Sequence, residues 1–354
     1  MRIAILGSVA LPVPPPAQGG TEWIAYFQAQ GLAKLGHKVL LFAAKGSRKG
    51  TYELIEVGGG DTVAGSSLAS SKPTQFIESS RKMRLENVYL AQAQQELIDR
   101  IDDYDMILNN MRGEAVFLPL ASSRGKPFVN VMHLPIFTQL AEMFKKYNTH
   151  IITISNAQRK DYPDLNYLAT VNNCVDTEKY AFDPVGGDYL LMMGSIAPHK
   201  NQEAAIRVAK RLGMKLVLAG KIGNPDYFAK LKPEIDGEKI RWMGEMGFGE
   251  KLQLYQKAKA FIFPINWPEP FGLVMIEAMA CGTPVVAFAN GAIPEVVVDG
   301  KTGFVIENNS ENDMAEAVKN INKIKREDCR KYVEENFTVE KMVADYEKAL
   351  RSLI

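Results

Sequence analysis

The chain is 354 residues long and 46% apolar, with 42 Lys plus Arg against 41 Asp plus Glu. That length exceeds one ordinary core and suits two domains, each with its own apolar centre. A near-neutral sum supplies no global field toward nucleic acid or an anionic membrane, so a small-molecule or glycan partner fits better.

The first run, Arg2 to Leu6, reads as a strand; Pro12, Pro14, Pro15 and Pro16 then interrupt the apolar stretch before a signal sequence could develop. A helix follows, with Ile24, Phe27, Gly31, Leu32 and Leu35 on one face and Thr21 as candidate N-cap. Further strand-like runs are Lys38 to Phe42, Asp105 to Leu108, Pro127 to Val131 and Ile151 to Ile154. From Lys45 to Lys82 the composition turns to Gly, Ser and Lys, including Gly58-Gly59-Gly60 and Ser66-Ser67, which predicts mobile loops with a hairpin around Tyr52 to Val57. The polar Asn172 and Asn173 set a boundary near Val171 to Asp176.

The second half repeats the plan with Tyr189 to Met193, Lys215 to Ala219, Ile240 to Met243, Ala260 to Pro264 and Pro284 to Phe288. Continuous apolar strands between amphipathic helices predict parallel sheets covered on both faces. The expected fold class is therefore α/β, two Rossmann-like doubly wound domains facing across a cleft. Residues 1–170 form the first, 171–336 the second, and 337–354 a closing helix, with Met342, Tyr346, Leu350 and Leu353 on one side, that braces them. Ligands of such sheets bind beyond the carboxyl ends of the strands. Cys174, Cys281 and Cys329 are odd in number and far apart, which suits neither a disulfide framework nor a thiolate metal site and favours a reducing cytoplasm. No run approaches the ~20 apolar residues of a spanning helix, so membrane contact is expected to be peripheral at most.

The most informative segment runs from Asn266 to Pro284 and contains Glu269-Pro270-Phe271-Gly272-Leu273 and, further on, Glu277. It follows a strand, is expected to open a helix at about Phe271, and closes that helix with Gly282, the residue that most easily takes the left-handed conformation. The helix start offers unpaired N–H groups and a positive dipole end, and Gly272 lets backbone approach a ligand. Glu277 lies among apolar neighbours, where a carboxylate needs a partner. A dipole-stabilising Glu269 and a solvated Glu277 would be the bland alternative.

This segment resembles the Glu-x7-Glu motif of the family four glycosyltransferases, retaining enzymes of GT-B fold. The resemblance implies that Glu269, with the backbone at Phe271, Gly272 and Leu273, holds the donor sugar's hydroxyls while Glu277 accepts from the nucleotide ribose. An ionised acid, all acceptor, suits vicinal hydroxyls.

Met193 to Asn201 resembles the family's glycine-arginine loop ending in lysine, whose two cations clamp the donor diphosphate; Lys200 matches, and Ser195 stands in the arginine's place. Losing a bidentate cation removes a phosphate anchor, which leaves Lys200 to suffice, another base to compensate, or donor affinity to fall. A lysine at a helix start is unfavourable for the dipole and so argues for an anionic partner.

Pro12 to Glu22, with Gly19 and Gly20, resembles the Gly-Gly loop that approaches the donor phosphates, in a form similar to a subgroup with avilamycin-type and tetrahydrobiopterin-type glucosyltransferases. A plain turn is the alternative for these residues. His133, after the strand Pro127 to Val131, matches a family histidine that contacts the donor sugar, and Arg241 to Met246 resembles the nucleobase-side loop. His37, His150 and His199 are assigned no chemistry.

The resemblance implies a hexosyltransferase that takes sugar from a nucleotide-diphosphate donor, UDP-linked, to an unidentified acceptor hydroxyl. His133, Lys200 and Glu269 are its candidate catalytic residues, and Gly19, Gly20, Ser195, Lys200, Met246, Phe271, Gly272, Leu273 and Glu277 its donor-binding set. Neither cofactor nor metal is expected, because no Asp-x-Asp and no His and Cys cluster stands out that would bind one convincingly. The rivals are a nucleotide-sugar epimerase on the same fold and a two-lobed sugar-binding protein. A nicotinamide oxidoreductase fares badly, since Gly7-Ser8-Val9 lacks the G-x-G-x-x-G fingerprint.

Overall fold

The computed structural model describes residues 1–16, 19–62 and 79–354. Ala17, Gln18 and the Ser66-Ser67 part of the expected loop lie outside them. The chain forms two compact units. Unit 1 comprises Met1–Ile154, Arg159–Val171 and Met342–Ile354, and unit 2 comprises Ser155–Gln158 and Asn172–Lys341.

Unit 1 carries seven strands: β1 (Arg2–Ser8), β2 (Lys38–Ala43), β3 (Glu53–Glu56), β4 (Met106–Asn109), β5 (Phe128–Met132), β6 (His150–Thr153) and β7 (Tyr167–Thr170). They lie in the order β3-β2-β1-β4-β5-β6-β7, every pair parallel. The helices of its first part are α1 (Gly20–Lys34), α2 (Ser79–Asp99), α3 (Leu118–Arg124) and α4 (Thr138–Tyr147). Leu6, Leu40, Phe42, Ile107, Leu97, Phe117 and Phe144 meet in one buried cluster, as expected where a parallel sheet is covered by helices and its central strands read as unbroken apolar runs.

Unit 2 repeats the plan with β8 (Tyr189–Met193), β9 (Lys215–Ala219), β10 (Ile240–Trp242), β11 (Ala258–Phe263), β12 (Val285–Phe288) and β13 (Gly303–Ile306), in the order β10-β9-β8-β11-β12-β13. Its helices are α5 (Gln202–Leu212), α6 (Pro225–Leu231), α7 (Phe248–Lys257), α8 (Leu273–Ala280), α9 (Ile293–Val296), α10 (Glu311–Lys319) and α11 (Arg326–Asn336); α12 (Val339–Arg351) ends the chain. The order reverses beside the first strand of each sheet, where the loops after β1 and β8 emerge. Two Rossmann-like doubly wound domains of this kind constitute the GT-B fold.

Several local expectations are corrected. The segment around Tyr52 to Val57 is no hairpin, because β3 pairs parallel to β2 through Leu41 and Leu54; the Gly-rich surroundings signal turns without fixing strand direction. The N-cap of α1 is Gly19 rather than Thr21, and Leu35, expected on the buried face, is 50% exposed just past the helix end. Helix α8 begins at Leu273, later than the expected Phe271. The short strands β7 and β13 carry too little periodicity to have been legible.

In unit 1, the terminal helix presents Val343 to α1 at Gly31, where an added Cβ would come within 2.3 Å of Val343 Cγ2. Met342, Tyr346 and Leu350 are all buried. His37 Nε2 and Glu347 Oε1 lie 2.9 Å apart on the same contact, so this histidine serves packing. Among the described residues no helix is long and apolar enough to cross a membrane.

Candidate active site

In unit 2, β8 delivers the chain through Gly194 and Ser195 to a short 3-10 turn, Pro198–Lys200. Asn201 then takes a left-handed conformation, φ 58°, and starts α5. The turn is fastened to the segment after β11: Asn201 Nδ2 donates to the Pro264 carbonyl at 2.9 Å, and the Asn266 N–H to the His199 carbonyl at 3.0 Å. These bonds bring Lys200 and Glu269 together. Lys200 Nζ stands 2.9 Å from Glu269 Oε2, with side chains only 17% and 12% exposed. Trp267 Nε1 donates to the same oxygen at 3.0 Å, and the ammonium lies 5.2 Å from the Trp267 ring centre and 5.6 Å from that of Phe263.

A cation over two aromatic faces and against a carboxylate is stabilised without bulk water, yet one of its N–H groups serves Glu269 and others remain for a ligand. His199 meets the Trp267 ring edge-on at 5.4 Å. Burial, and then the Lys200 charge, lower its pKa, so it adds no cation of its own near neutral pH.

The backbone of Glu269 is equally fixed. The Ala292 N–H donates to its carbonyl at 2.8 Å, and Gly291, at φ 62°, packs so closely that a Cβ there would fall 2.4 Å from both Glu269 N and O. Asn290 Nδ2 holds the Ile265 carbonyl at 2.7 Å. The helix start beyond it turns on Gly272, φ 89° and ψ 61°, the N-cap of α8, a conformation glycine adopts freely. Phe271 is 2% exposed and meets Phe337 edge-on, so its ring belongs to the core and only its backbone is available to a ligand. Leu273 is half-buried as the first residue of α8.

Glu277 finds the partner that its apolar surroundings require. Tyr255 in α7 donates its hydroxyl to Glu277 Oε2 at 2.7 Å, and Tyr180 makes a second side-chain hydrogen bond to it. Burial, and then the Glu277 charge, push both tyrosine hydroxyls up from their ordinary pKa, so both remain donors. A carboxylate has about four lone-pair directions, which leaves room for two further hydroxyls. Gly282, φ 89°, follows the helix end as expected. Beneath it the half-buried Arg326 donates to the Asp183, Ala258, Gln256 and Cys281 carbonyls and to Thr283 Oγ1.

Ser195 is half-buried, and its carbonyl accepts from Gln202 Nε2 at 3.0 Å. Met246 is half-buried in the loop between β10 and α7. In unit 1, Gly19 caps α1 and Gly20 begins it; a Cβ at Gly19 would meet Pro15 Cγ at 2.6 Å and Glu22 Oε2 at 2.8 Å, so space alone requires glycine there. His133 follows β5 and is half-buried, with Nε2 2.9 Å from Asn110 Oδ1. Asn110 Nδ2 in turn donates to Gln28 Oε1 at 2.8 Å. With the Asn110 amide oriented that way, His133 donates through Nε2 and keeps Nδ1 as an acceptor. Burial lowers its pKa to about 4, so the ring is neutral near pH 7.

Thus Lys200, Glu269, Gly272 and Glu277 lie in unit 2, and Gly19, Gly20 and His133 in unit 1. Trp267, Tyr255, Tyr180, Asn110 and Gly291 were not singled out from sequence; only Trp267, inside the quoted motif, carried a local signal. Cys174, Cys281 and Cys329 are free and buried; burial pushes Cys281 and Cys329 up to about 12, which leaves them inert thiols.

Residues 179–337 match the profile of the family described as glycosyl transferases group 1. The chain is 26% identical over 183 residues to a D-inositol 3-phosphate glycosyltransferase of Mycolicibacterium smegmatis, a stretch covering 48% of this chain and 42% of that one. Its fold is similar to that of AviGT4, a glycosyltransferase involved in avilamycin A biosynthesis, at TM-score 0.73 and 23% identity over 99% of this chain and 97% of that one. It is also similar to HepE (Alr3699) of Anabaena in complex with UDP and glucose, at TM-score 0.74 and 17% identity over 99% of each chain.

Proposed function

We propose, from the match of residues 179–337 to the glycosyl transferases group 1 profile and from the GT-B fold, that the chain is a retaining glycosyltransferase moving a hexose from a nucleotide-diphosphate sugar to an acceptor hydroxyl. The observation that carries this is the Lys200–Glu269 pair, 2.9 Å apart beside the Gly272 turn that opens α8. One cation, one carboxylate and free backbone N–H groups at a helix start are the complement of a sugar diphosphate.

On donor binding the diphosphate takes the Lys200 ammonium, and Glu269 turns to the sugar hydroxyls. The ribose hydroxyls donate to Glu277 in the directions left by Tyr255 and Tyr180. Within unit 2, Met246 flanks the base. As the bond from the anomeric carbon to the phosphate oxygen breaks, charge grows on the leaving diphosphate, where Lys200 and the helix start stabilise it. The acceptor oxygen bonds to the anomeric carbon on the same face and its proton passes to the departing phosphate. No protein carboxylate is asked to form a glycosyl intermediate, unlike a retaining glycosidase. Lys200 supplies the positive charge, so the transfer is metal-independent in this reaction. The UDP preference rests on the neighbour described with UDP and glucose.

Calorimetric titration with UDP-, GDP- and ADP-glucose, followed by NMR of the product anomer, tests this. Binding of UDP-glucose with transfer or hydrolysis that retains the α configuration is expected, with undiminished turnover in EDTA. A β product would sink retention, release of an epimerised sugar nucleotide would establish the epimerase instead, and binding without turnover would leave a sugar-binding protein.

A further inference from the structure

Tyr180 reaches Glu277 from a stretch, residues 177–183, that forms neither helix nor strand. Its carbonyls therefore need partners other than a helix or sheet ladder, and side chains supply them. Gln256 Nε2 donates to the Ala181 carbonyl at 2.8 Å, and Arg326 Nε to the Asp183 carbonyl at 2.7 Å. Arg330, on α11, donates through Nη2 to the Thr177 carbonyl at 3.1 Å and through Nη1 to the Tyr180 carbonyl. The same Nη1 donates at 2.9 Å to the carbonyl of Ala280, the last residue of α8. One nitrogen thus holds the backbone of Tyr180 against the helix that carries Glu277. On the transferase reading above, we propose that Arg330 is a positioning residue for the nucleotide ribose: it keeps the Tyr180 hydroxyl on Glu277, and so makes the donor site prefer a ribonucleoside diphosphate to its 2′-deoxy counterpart.

The guanidinium is committed to this task. Its Nε donates to Glu334 Oε1 at 2.6 Å, one turn further along α11, and its side chain is 19% exposed. A cation is also favoured where α8 ends, because the last carbonyls of a helix carry its negative pole. Lysine in this place would keep the charge, but a single ammonium cannot reproduce a planar fork on three carbonyls. The ring of Tyr180 meets Phe248 edge-on at 5.4 Å, yet Phe248 is 49% exposed and makes a weak wall beside the guanidinium.

Tyr255 and Tyr180 occupy two of the roughly four lone-pair directions of Glu277. With both hydroxyls in place the carboxylate plane is fixed, and the two remaining directions are fixed with it. Release of Tyr180 leaves the Tyr255 bond alone, and the carboxylate turns about its last torsion, which is intrinsically soft. Two vicinal hydroxyls need both directions at once and lose most from that freedom. A 2′-deoxyribose offers Glu277 a single hydroxyl, so its binding depends far less on a fixed plane.

The test is calorimetry of the full chain with UDP and with 2′-deoxy-UDP; if the chain takes GDP or ADP instead, that nucleotide and its 2′-deoxy form are used. Wild-type chain is expected to bind the ribonucleotide about tenfold more tightly. Arg330→Lys should bring that ratio down to about twofold or less, chiefly by weakening the ribonucleotide. An unchanged ratio in Arg330→Lys, even with both affinities lowered together, makes Arg330 a packing residue and overturns the proposal. Should Arg330→Lys fail to fold, Tyr180→Phe decides, and a ratio equal to that of wild type refutes the route through the hydroxyl. Equal binding of the two nucleotides by wild type overturns the proposal as well. The transferase reading fails separately, as a wild-type chain that binds none of these nucleotides and turns over none of their sugar conjugates, and the proposal falls with it.

Discussion

Lys200 and Glu269, brought together from the ends of β8 and β11, satisfy each other across 2.9 Å. The pair keeps each group from being a lone buried charge and, on the proposed function, gives both up to the donor. Lys200→Ala is expected to lower turnover by about 10²- to 10³-fold, the usual loss for one oxyanion-type donor. It also leaves Glu269 uncompensated, so a thermal melt of Lys200→Ala should fall further than that of Lys200→Ala/Glu269→Gln. Equal melts would show that the pair stores no coupling.

Tyr255→Phe removes one donor from Glu277 with little change of volume. A net loss of about 1 kcal/mol in stability is expected, together with weaker UDP binding in calorimetry. A variant that melts lower but binds UDP as the parent does would make Tyr255 a packing residue only.

Ser195→Arg restores the second cation that the family resemblance places beside the diphosphate, and the half-buried Ser195 leaves the longer side chain a route outward. The donor dissociation constant should drop. An unchanged or raised constant would mean that another group already fills the position.

Gly291→Ala puts a methyl group 2.4 Å from two backbone atoms of Glu269, at a positive φ that alanine tolerates poorly. Destabilisation of about 1–3 kcal/mol is expected, with a loss of donor affinity because Glu269 must shift. Retention of full affinity would show the Glu269 loop to be more compliant than its contacts suggest.

His133 gives a pH signature. Its folded pKa, about 4, lies below the ordinary histidine value of 6.5, so the unfolded chain binds the proton more readily between those values. The stabilising contribution of the neutral ring is complete above about 6.5 and is lost as pH falls toward 4. His133→Asn should therefore flatten the fall in melting temperature across that window; an unaltered slope would assign the fall to carboxylates alone.

The fold was legible where strands are long and apolar: β1, β2 and β8 announce themselves, and the Gly272 turn and Gly282 stop mark α8 within two residues of its start. β3 differs from the expected hairpin because its neighbours Gly58 to Gly60 advertise a turn, while its parallel pairing to β2 depends on a crossover that no local pattern encodes. At the site, Lys200 and Glu269 were visible through motif spacing. Tyr255, in a helix without any motif, was not, since a hydroxyl aimed at Glu277 is a product of tertiary packing between α7 and α8. Gly291 escaped notice for the same reason: its neighbour across space is Glu269.

The tyrosines on Glu277 set a limit on engineering. Tyr255 sits on α7 and Tyr180 ahead of β8, so transplanting only the Glu269–Glu277 stretch into a related scaffold would carry the acid without its two hydroxyl donors. A chimera meant to inherit this chain's nucleotide preference must import all three pieces of sequence together.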